Sequence, residues 1–428
     1  MRSALLLSLL LAAVSPDPHG LVDDLFSSDA AVRAKARDAL IAKGDLTLAP
    51  ALVDSVFFNT HGRVETVAVL EQLLGERHGT SWKPWIEAIG RREELTPAPG
   101  YIAFKAKLFA KLDPAFARFL REDAPRTIRA EEIVWGGVKK DGIPALDRPK
   151  MIERAPWLLD DDPVFGVVID GDARAYPQRI LAWHEMLNDV VGGRAVSLSY
   201  CTLCGAAILY DGRASDGRTY TFGSSGLLYR SNKLMYDRQT ETLWSQLTGE
   251  PVFGALVKKK LAPLTVLPLT FTTWREWRAM HPKTRVLSLE TGFVRDYSSG
   301  AAYSKYFSSP DLMFPVWKKA PAALANKEWV LVVPDGATRR IYPIDDLERL
   351  GVVHDGDLVL VGERVYRREG QRLRRDGADL VDESGQRFTI TEEALVSSST
   401  QLPRVAAHRA YWFGAAAFYP GAKVWQPE

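Results

Sequence analysis

The amino-acid sequence predicts an α+β protein: an N-terminal helical, HEAT-like module followed by a β-rich, pseudo-duplicated and mainly antiparallel domain. Three observations lead there. Residues 21–128 carry alanine- and leucine-rich helical spacing. From residue 129 the pattern turns to short β-rich runs divided by Gly, Asp and Asn turns. Within that β region, landmarks of residues 129–300 return in residues 301–428 at near-constant offsets.

The chain begins MRSALLLSLLLAAVSPDPHG, and residues 1–20 read as an export signal: Arg2 gives a positive start, Ala4 to Val14 an apolar run, and small residues precede Pro16. Beyond it, no run approaches the roughly 20 apolar residues that a spanning helix needs, so no integral span is expected after signal removal. The mature chain is expected to be exported, periplasmic or extracellular, where thiols are readily oxidised. The 428 residues are 46% hydrophobic and 25% charged with a net charge of only +2, without a basic block or acidic tail. That composition argues against nucleic acid or an acidic membrane as partner.

In the helical module, SSDAAVRAKARDALIAKG breaks at Gly44-Asp45, where the aspartate can cap the next helix. HGRVETVAVLEQLLG and PGYIAFKAKLFAKLDPAFARFL continue the series. Short helices joined by tight turns suggest a small scaffold without chemistry of its own.

In the β domain, VFGVVIDGDARAYP, AVSLSY, AAILYDG, RTYTFG and PVFGALV read as strands, with helices at ILAWHEMLNDVVGG and TTWREWRAMHP. VVIDGDARAYP (167–177) finds a partner in VVPDGATRRIYP (332–343), and AVSLSY in DLVLVG (357–362). LMYDRQTETLW (234–244) aligns loosely with DLVDESGQRF (379–388). Trp274, Pro282 and Val286 recur as Trp412, Pro420 and Val424 with the same spacing. The second copy has no cysteine and no HE…ND cluster, so those residues belong to a site carried by one lobe and not to the fold itself.

SYCTLCG holds the only two cysteines, Cys201 and Cys204. A disulfide closing so short a loop would contribute only about 2 kcal/mol, against about 3 for a fifteen-residue loop. Inert core thiols are the other bland reading. An exported chain that uses cysteine nowhere else points instead to chemistry. One reading is a redox couple, with Cys201 attacking and Cys204 resolving the mixed disulfide or sulfenate. The partner would be a small molecule or a protein thiol or disulfide. The other reading is a metal site in which Cys201, Cys204 and His184 bind copper or zinc. Gly205 to Gly212 reads as a strand ending in a turn and not as the helix that stabilises a thioredoxin-type thiolate, so any depression of a thiol pKa must come from nearby donors or cations.

Two further clusters supply candidates. In AWHEMLNDVVGG, a helix would put His184 with Asn188, and Glu185 with Asp189, on shared faces. His184 would then be acid/base or ligand, oriented by Glu185; the alternative is a helix-surface charge pattern. The stretch TFGSSGLLYRSNKLMYDRQTETLWSQLTGEPVFG crowds Ser225, Tyr229, Arg230, Asn232, Tyr236, Asp237, Arg238, Trp244 and Gln246 between strands, a composition suited to a substrate pocket. A hydrogen-bonded turn system held by Asp237 is the competing reading. HExxH and GxSxG motifs are absent, which sets aside zincin and serine-hydrolase chemistry.

AYPQRILAWHEMLNDVVGG, SYCTLCGAA, FGSSGLLYRSNKLMYDRQTETLWSQLTGEPVFG and TTWREWRAMHPKTRVL resemble the bacterial domain of unknown function 3179, densely over residues 130–300 and more weakly to YWFGAAAFYP. The resemblance brings no assigned reaction. Some members are catalogued as selenoproteins, which implies redox chemistry at the cysteine motif. This chain departs in having Thr202 where proline is common between the cysteines.

Overall fold

The computed structural model describes residues 17–317 and 320–427. Most of the export-signal reading, residues 1–16, lies outside the described residues. The chain divides into two compact units, Met1–Lys111 and Leu112–Glu428.

The first unit is helical. Helix Ala49–Phe58 lies at its centre, touching Arg63–Leu74, Trp82–Gly90 and Tyr101–Phe109. Its residues are buried from Ala49 to Val56, which explains the nearly all-apolar sequence. The one charge inside, Asp54, is balanced by Lys105 at 3.0 Å and by the Tyr101 hydroxyl at 2.7 Å. Asp45 caps the following turn through Thr47 N, as its position after Gly44 suggests.

The second unit holds the sheets. Strands β1 (Pro163–Ile169) and β2 (Asp172–Pro177) form a hairpin, and helix α1 (Gln178–His184) follows directly. Then come β3 (Met186–Val191), β4 (Arg194–Cys201) and β5 (Ala206–Asp211), an antiparallel meander. Strands β6 (Phe222–Tyr229) and β7 (Asn232–Asp237) form the central hairpin of a third sheet. A continuous core of Phe165, Tyr176, Ile180, Leu181, Leu187, Leu198 and Leu209 joins the first two sheets and α1. β4 through β7 are almost wholly buried; β5 carries an apolar run, while β6 and β7 bury polar side chains such as Ser225, Asn232 and Asp237 that find hydrogen-bond partners.

The pairing pattern of the first lobe recurs in the second. β1 pairs antiparallel with Thr270–Thr273, and β2 pairs parallel with Arg285–Leu287 after helix Trp274–Met280. Likewise Trp329–Asp335 pairs antiparallel with His408–Tyr411, and Thr338–Pro343 pairs parallel with Lys423–Val424 after helix Trp412–Phe418. Registers agree: Val164 faces Pro177 as Val330 faces Pro343, and Val286 faces Ala175 as Val424 faces Ile341. Even the polar braces match. Tyr176 OH donates to Asp189 at 2.8 Å, and Tyr342 OH to Asp355 at 2.6 Å.

One difference stands out. The second-lobe hairpin Leu358–Val361 to Arg364–Arg367 turns through Gly362 and Glu363 alone. Its first-lobe counterpart, β4 to β5, pairs Cys201 with Ala206 and so turns through Thr202, Leu203, Cys204 and Gly205. The cysteine pair is built on a longer turn of the same hairpin.

Candidate functional site

Cys201 ends β4 and Cys204 sits in the turn; both are free, buried and 3.5 Å apart. Gly205 makes the turn possible in two ways. Its φ of +60° lies in the left-handed region, and a Cβ there would stand 2.3 Å from the Trp329 ring. Trp329 and Tyr411, whose N–H donates to Cys204 O at 2.7 Å, come from the second lobe and close the back of the turn.

The two sulfurs have different surroundings. Cys204 Sγ donates to Ser231 O and accepts from Asn232 Nδ2, each at 3.4 Å. Asn232 in turn donates to Gln246 Oε1 at 2.8 Å, and Gln246 Nε2 bridges Ser199 O and Ala206 O. That chain ties the sulfur to both strands of the hairpin. Ser231 and Arg230 form a two-residue turn between β6 and β7 with φ of +59° and +50°, a conformation non-glycine residues adopt at a cost. Burial, together with the neighbouring Cys201, pushes the Cys204 thiol well above its ordinary value.

Cys201 moves the other way. Burial opposes its ionisation, and so does the Glu185 carboxylate. The Cys204 thiol and the backbone N–H groups of Lys233 and Cys204 outweigh them and lower its pKa. Cys201 also lines a cavity of about 50 Å³, which Cys204 does not reach; Glu185, Ser224, Lys233, Tyr303, Met313 and Phe314 share its wall.

Glu185 enters this wall through a break in the chain. The predicted helix through Asn188 and Asp189 is corrected here: α1 stops at His184, Glu185 takes φ +54°, and Met186–Val191 is a strand. His184 and Asn188 therefore share no helical face. Asn188 instead bonds Ser197, Phe222 and Asp147, and Asp189 holds Tyr176 and Arg174. The sharp turn swings Glu185 toward the cysteines. Its Oε1 accepts from Thr202 Oγ1 at 2.9 Å and from Tyr303 OH at 3.4 Å. Lys233 Nζ lies 3.3 Å from its Oε2 and donates to its backbone O at 3.2 Å. This ion pair is almost fully buried.

A β-bulge aims Lys233. Lys233 faces Leu228 and Met235 faces Ser224, so Ser225, Gly226 and Leu227 stand opposite Leu234 alone. The Ser225 hydroxyl closes the bulge on Leu234 O at 2.5 Å and on Leu227 N at 3.0 Å.

His184 faces away from the sulfurs. Its Nδ1 is 2.8 Å from Pro144 O, which can only accept, so Nδ1 carries the proton and Nε2 accepts from Tyr297 OH at 2.6 Å. Burial lowers its pKa. Tyr297 belongs to a strap, residues 288–317, that crosses the site. Trp183 Nε1 holds Asp296 O at 2.6 Å, His184 holds Tyr297, Glu185 holds Tyr303, and Leu203 O holds the Tyr306 hydroxyl at 2.7 Å. The WHE segment thus grips this strap in sequence order.

Of the nine residues expected to bind substrate, Asn232 and Gln246 lie at the sulfurs. Ser225 braces the bulge. Asp237 accepts from Thr240, Thr242 and Trp244 Nε1, which makes it and Trp244 a turn system. Arg230 pairs with Glu132, Arg238 with Asp147, and Tyr236 with Asp141 and Lys140. Tyr229 packs edge-on against Phe418. Sequence reasoning missed Lys233, Thr202 and Tyr303. A lysine directly ahead of the apolar Leu234-Met235 in SNKLMY was the available signal for the first.

Two thiolates are a soft pair that suits Cu(I), whereas a zinc site needs further ligands beside them. Among the described residues no group of three or more His, Cys, Asp and Glu gathers that could hold a metal ion, and both His184 nitrogens are engaged elsewhere. No described helix is long and apolar enough to cross a membrane.

The profile of the family described as "Protein of unknown function (DUF3179)" matches residues 140–422, which span the cysteine hairpin, the strap and the second lobe. No curated protein and no solved structure matches the chain.

Proposed function

The chain belongs to the DUF3179 family, and we propose that this member is an exported dithiol redox protein in which Cys201 attacks and Cys204 resolves. One observation carries the reading: the two thiols are adjacent, yet only Cys201 faces the cavity and only its pKa is lowered. A nucleophile must meet its substrate as thiolate; a resolving thiol must wait protonated behind it.

In the first step the Cys201 thiolate attacks a two-electron oxidant, a disulfide or a sulfenate-forming molecule. A bond to Sγ forms, the bond within the oxidant breaks, and the leaving group departs with the electron pair and takes up a proton. Cys204 then attacks Cys201 Sγ and gives up its proton as the second leaving group departs. The sulfurs need approach from 3.5 Å only to about 2.05 Å, the length of a disulfide. Glu185 is the carboxylate nearest this chemistry, and the pair it forms with Lys233 takes the acid/base role first assigned to His184; His184 acts by holding the strap. The Arg2 start and the apolar run after it support export.

Trapping tests the assignment. Cys204→Ser, treated with an oxidant, should accumulate an adduct or sulfenate on Cys201, identified by peptide mass spectrometry. Cys201→Ser should accumulate none on Cys204. Equal labelling of the two single variants, or none in either, contradicts the assignment.

A further inference from the structure

We propose that the oxidant admitted to Cys201 is a small hydroperoxide, with hydrogen peroxide the best fit, and that the strap shuts out bulky disulfides. This rests on the dithiol reading above and adds its substrate class.

Size is the first argument. The cavity beside Cys201 measures about 50 Å³. A water needs about 10–15 Å³ of such space, so about three to five water-sized bodies fill it. Two bonded oxygens fit; a peptide-borne disulfide such as glutathione disulfide does not. The roof is made by Tyr303, Met313 and Phe314 of the strap, and four hydrogen bonds pin that strap to Trp183, His184, Glu185 and Leu203.

Charge is the second. Besides the Cys201 thiolate, the charged groups on the wall, Glu185 and Lys233, neutralise each other, so nothing there draws in an anion and the pocket favours an uncharged molecule with hydrogen-bonding oxygens. Lys233 has three N–H bonds: one donates to the Glu185 carbonyl, and a second can serve the Glu185 carboxylate with which Lys233 forms an ion pair. The third can meet an oxygen beside Cys201.

The step balances as follows. The Cys201 thiolate forms an S–O bond, the O–O bond breaks, and the leaving oxygen takes a proton from Lys233 to depart as water, or as an alcohol from an alkyl hydroperoxide. Cys201 becomes a sulfenic acid. Cys204 then forms the S–S bond, the S–O bond breaks, and the departing hydroxide takes the Cys204 proton. Solvent returns the proton to Lys233. One peroxide is reduced by two electrons and one disulfide is made. Two electrons from a thiol donor restore the dithiol, with the strap moved aside.

The test uses the full prereduced chain and counts thiols against time after mixing with hydrogen peroxide, tert-butyl hydroperoxide, cumene hydroperoxide or glutathione disulfide. Rates should fall in that order, with hydrogen peroxide about 100-fold faster than glutathione disulfide, the discrimination a tight pocket can supply. Tyr303→Ala, or Met313→Ala should the first not fold, should narrow the gap between hydrogen peroxide and cumene hydroperoxide about tenfold. Glutathione disulfide reacting as fast as peroxide, in a chain whose dithiol still closes reversibly, overturns the peroxide inference and leaves the dithiol reading standing. A chain whose thiols form no disulfide with any oxidant overturns both.

Discussion

Replacing Lys233 by Met removes one partner of the ion pair that walls the cavity. The side chains of Lys233 and Glu185 are only 4% and 8% exposed, so solvent cannot take over the lost interaction. Breaking a buried pair from one side costs about 3–5 kcal/mol, because the remaining carboxylate stays desolvated. Adding Glu185→Gln removes that stranded charge while keeping an oxygen for Thr202 Oγ1 and Tyr303 OH. The double variant should then recover at least about 2 kcal/mol of the loss, as a coupled pair does. Urea unfolding reads this out. With m of about 1–3 kcal/mol/M, the Lys233→Met midpoint should fall by about 1 M or more at unchanged m. A single variant within about 0.5 kcal/mol of the parent, the range of an ordinary surface substitution, refutes the argument that the pair is buried and coupled.

Three further substitutions probe the frame around the sulfurs. Gly205→Ala combines a left-handed residue with a Cβ 2.3 Å from Trp329, and should cost about 2–5 kcal/mol in thermal or urea unfolding; a loss below about 1 kcal/mol refutes the close approach. Ser231→Gly should instead stabilise by about 1 kcal/mol, since it relieves a φ of +59° and removes a buried hydroxyl without a hydrogen-bond partner among the described residues; destabilisation contradicts that reading. His408, buried beside Arg339, is held down at about 3, first by burial and then by that guanidinium. The fold keeps it neutral while the unfolded chain takes a proton below about 6.5, so its stabilisation is complete above that pH and is lost as pH falls toward 3. One such group gives a slope of about 1.4 kcal/mol per pH unit, and His408→Phe should flatten the pH dependence of urea unfolding between pH 6 and pH 4 by about that amount. An unchanged slope shows that the ring already titrates in the fold.

The repeat was legible because its landmarks are backbone constraints. The Asp-Gly turns, Pro177 and Pro343 at the strand ends, and the Trp–Pro–Val spacing around Trp274 and Trp412 each fix a turn or a register. The strand after the cysteines was legible from its apolar run. The end of α1 was not. His184 and Asn188 stand at helical spacing, and nothing in WHEML announces that Glu185, a non-glycine residue, adopts φ +54°. That one torsion removes His184 from the site and brings Glu185 into it. The polar crowd from Ser225 to Gln246 was harder to read for another reason. Most of its members satisfy each other or the backbone, as Asp237 does, and composition cannot separate a pocket wall from a satisfied turn. Lys233 and Tyr303 reach Cys201 through a bulge and a distant strap, and neither leaves a local trace.

The central claim is that Cys201 and Cys204 form one reversible two-electron couple. Equilibrating the anaerobic chain in dithiothreitol buffers of graded potential, and counting thiols by mass after alkylation in denaturant, tests it directly. The account predicts that both thiols disappear together at a single midpoint and reappear on reversal. Two thiols that stay countable in the most oxidising buffer and after treatment with hydrogen peroxide as well contradict it.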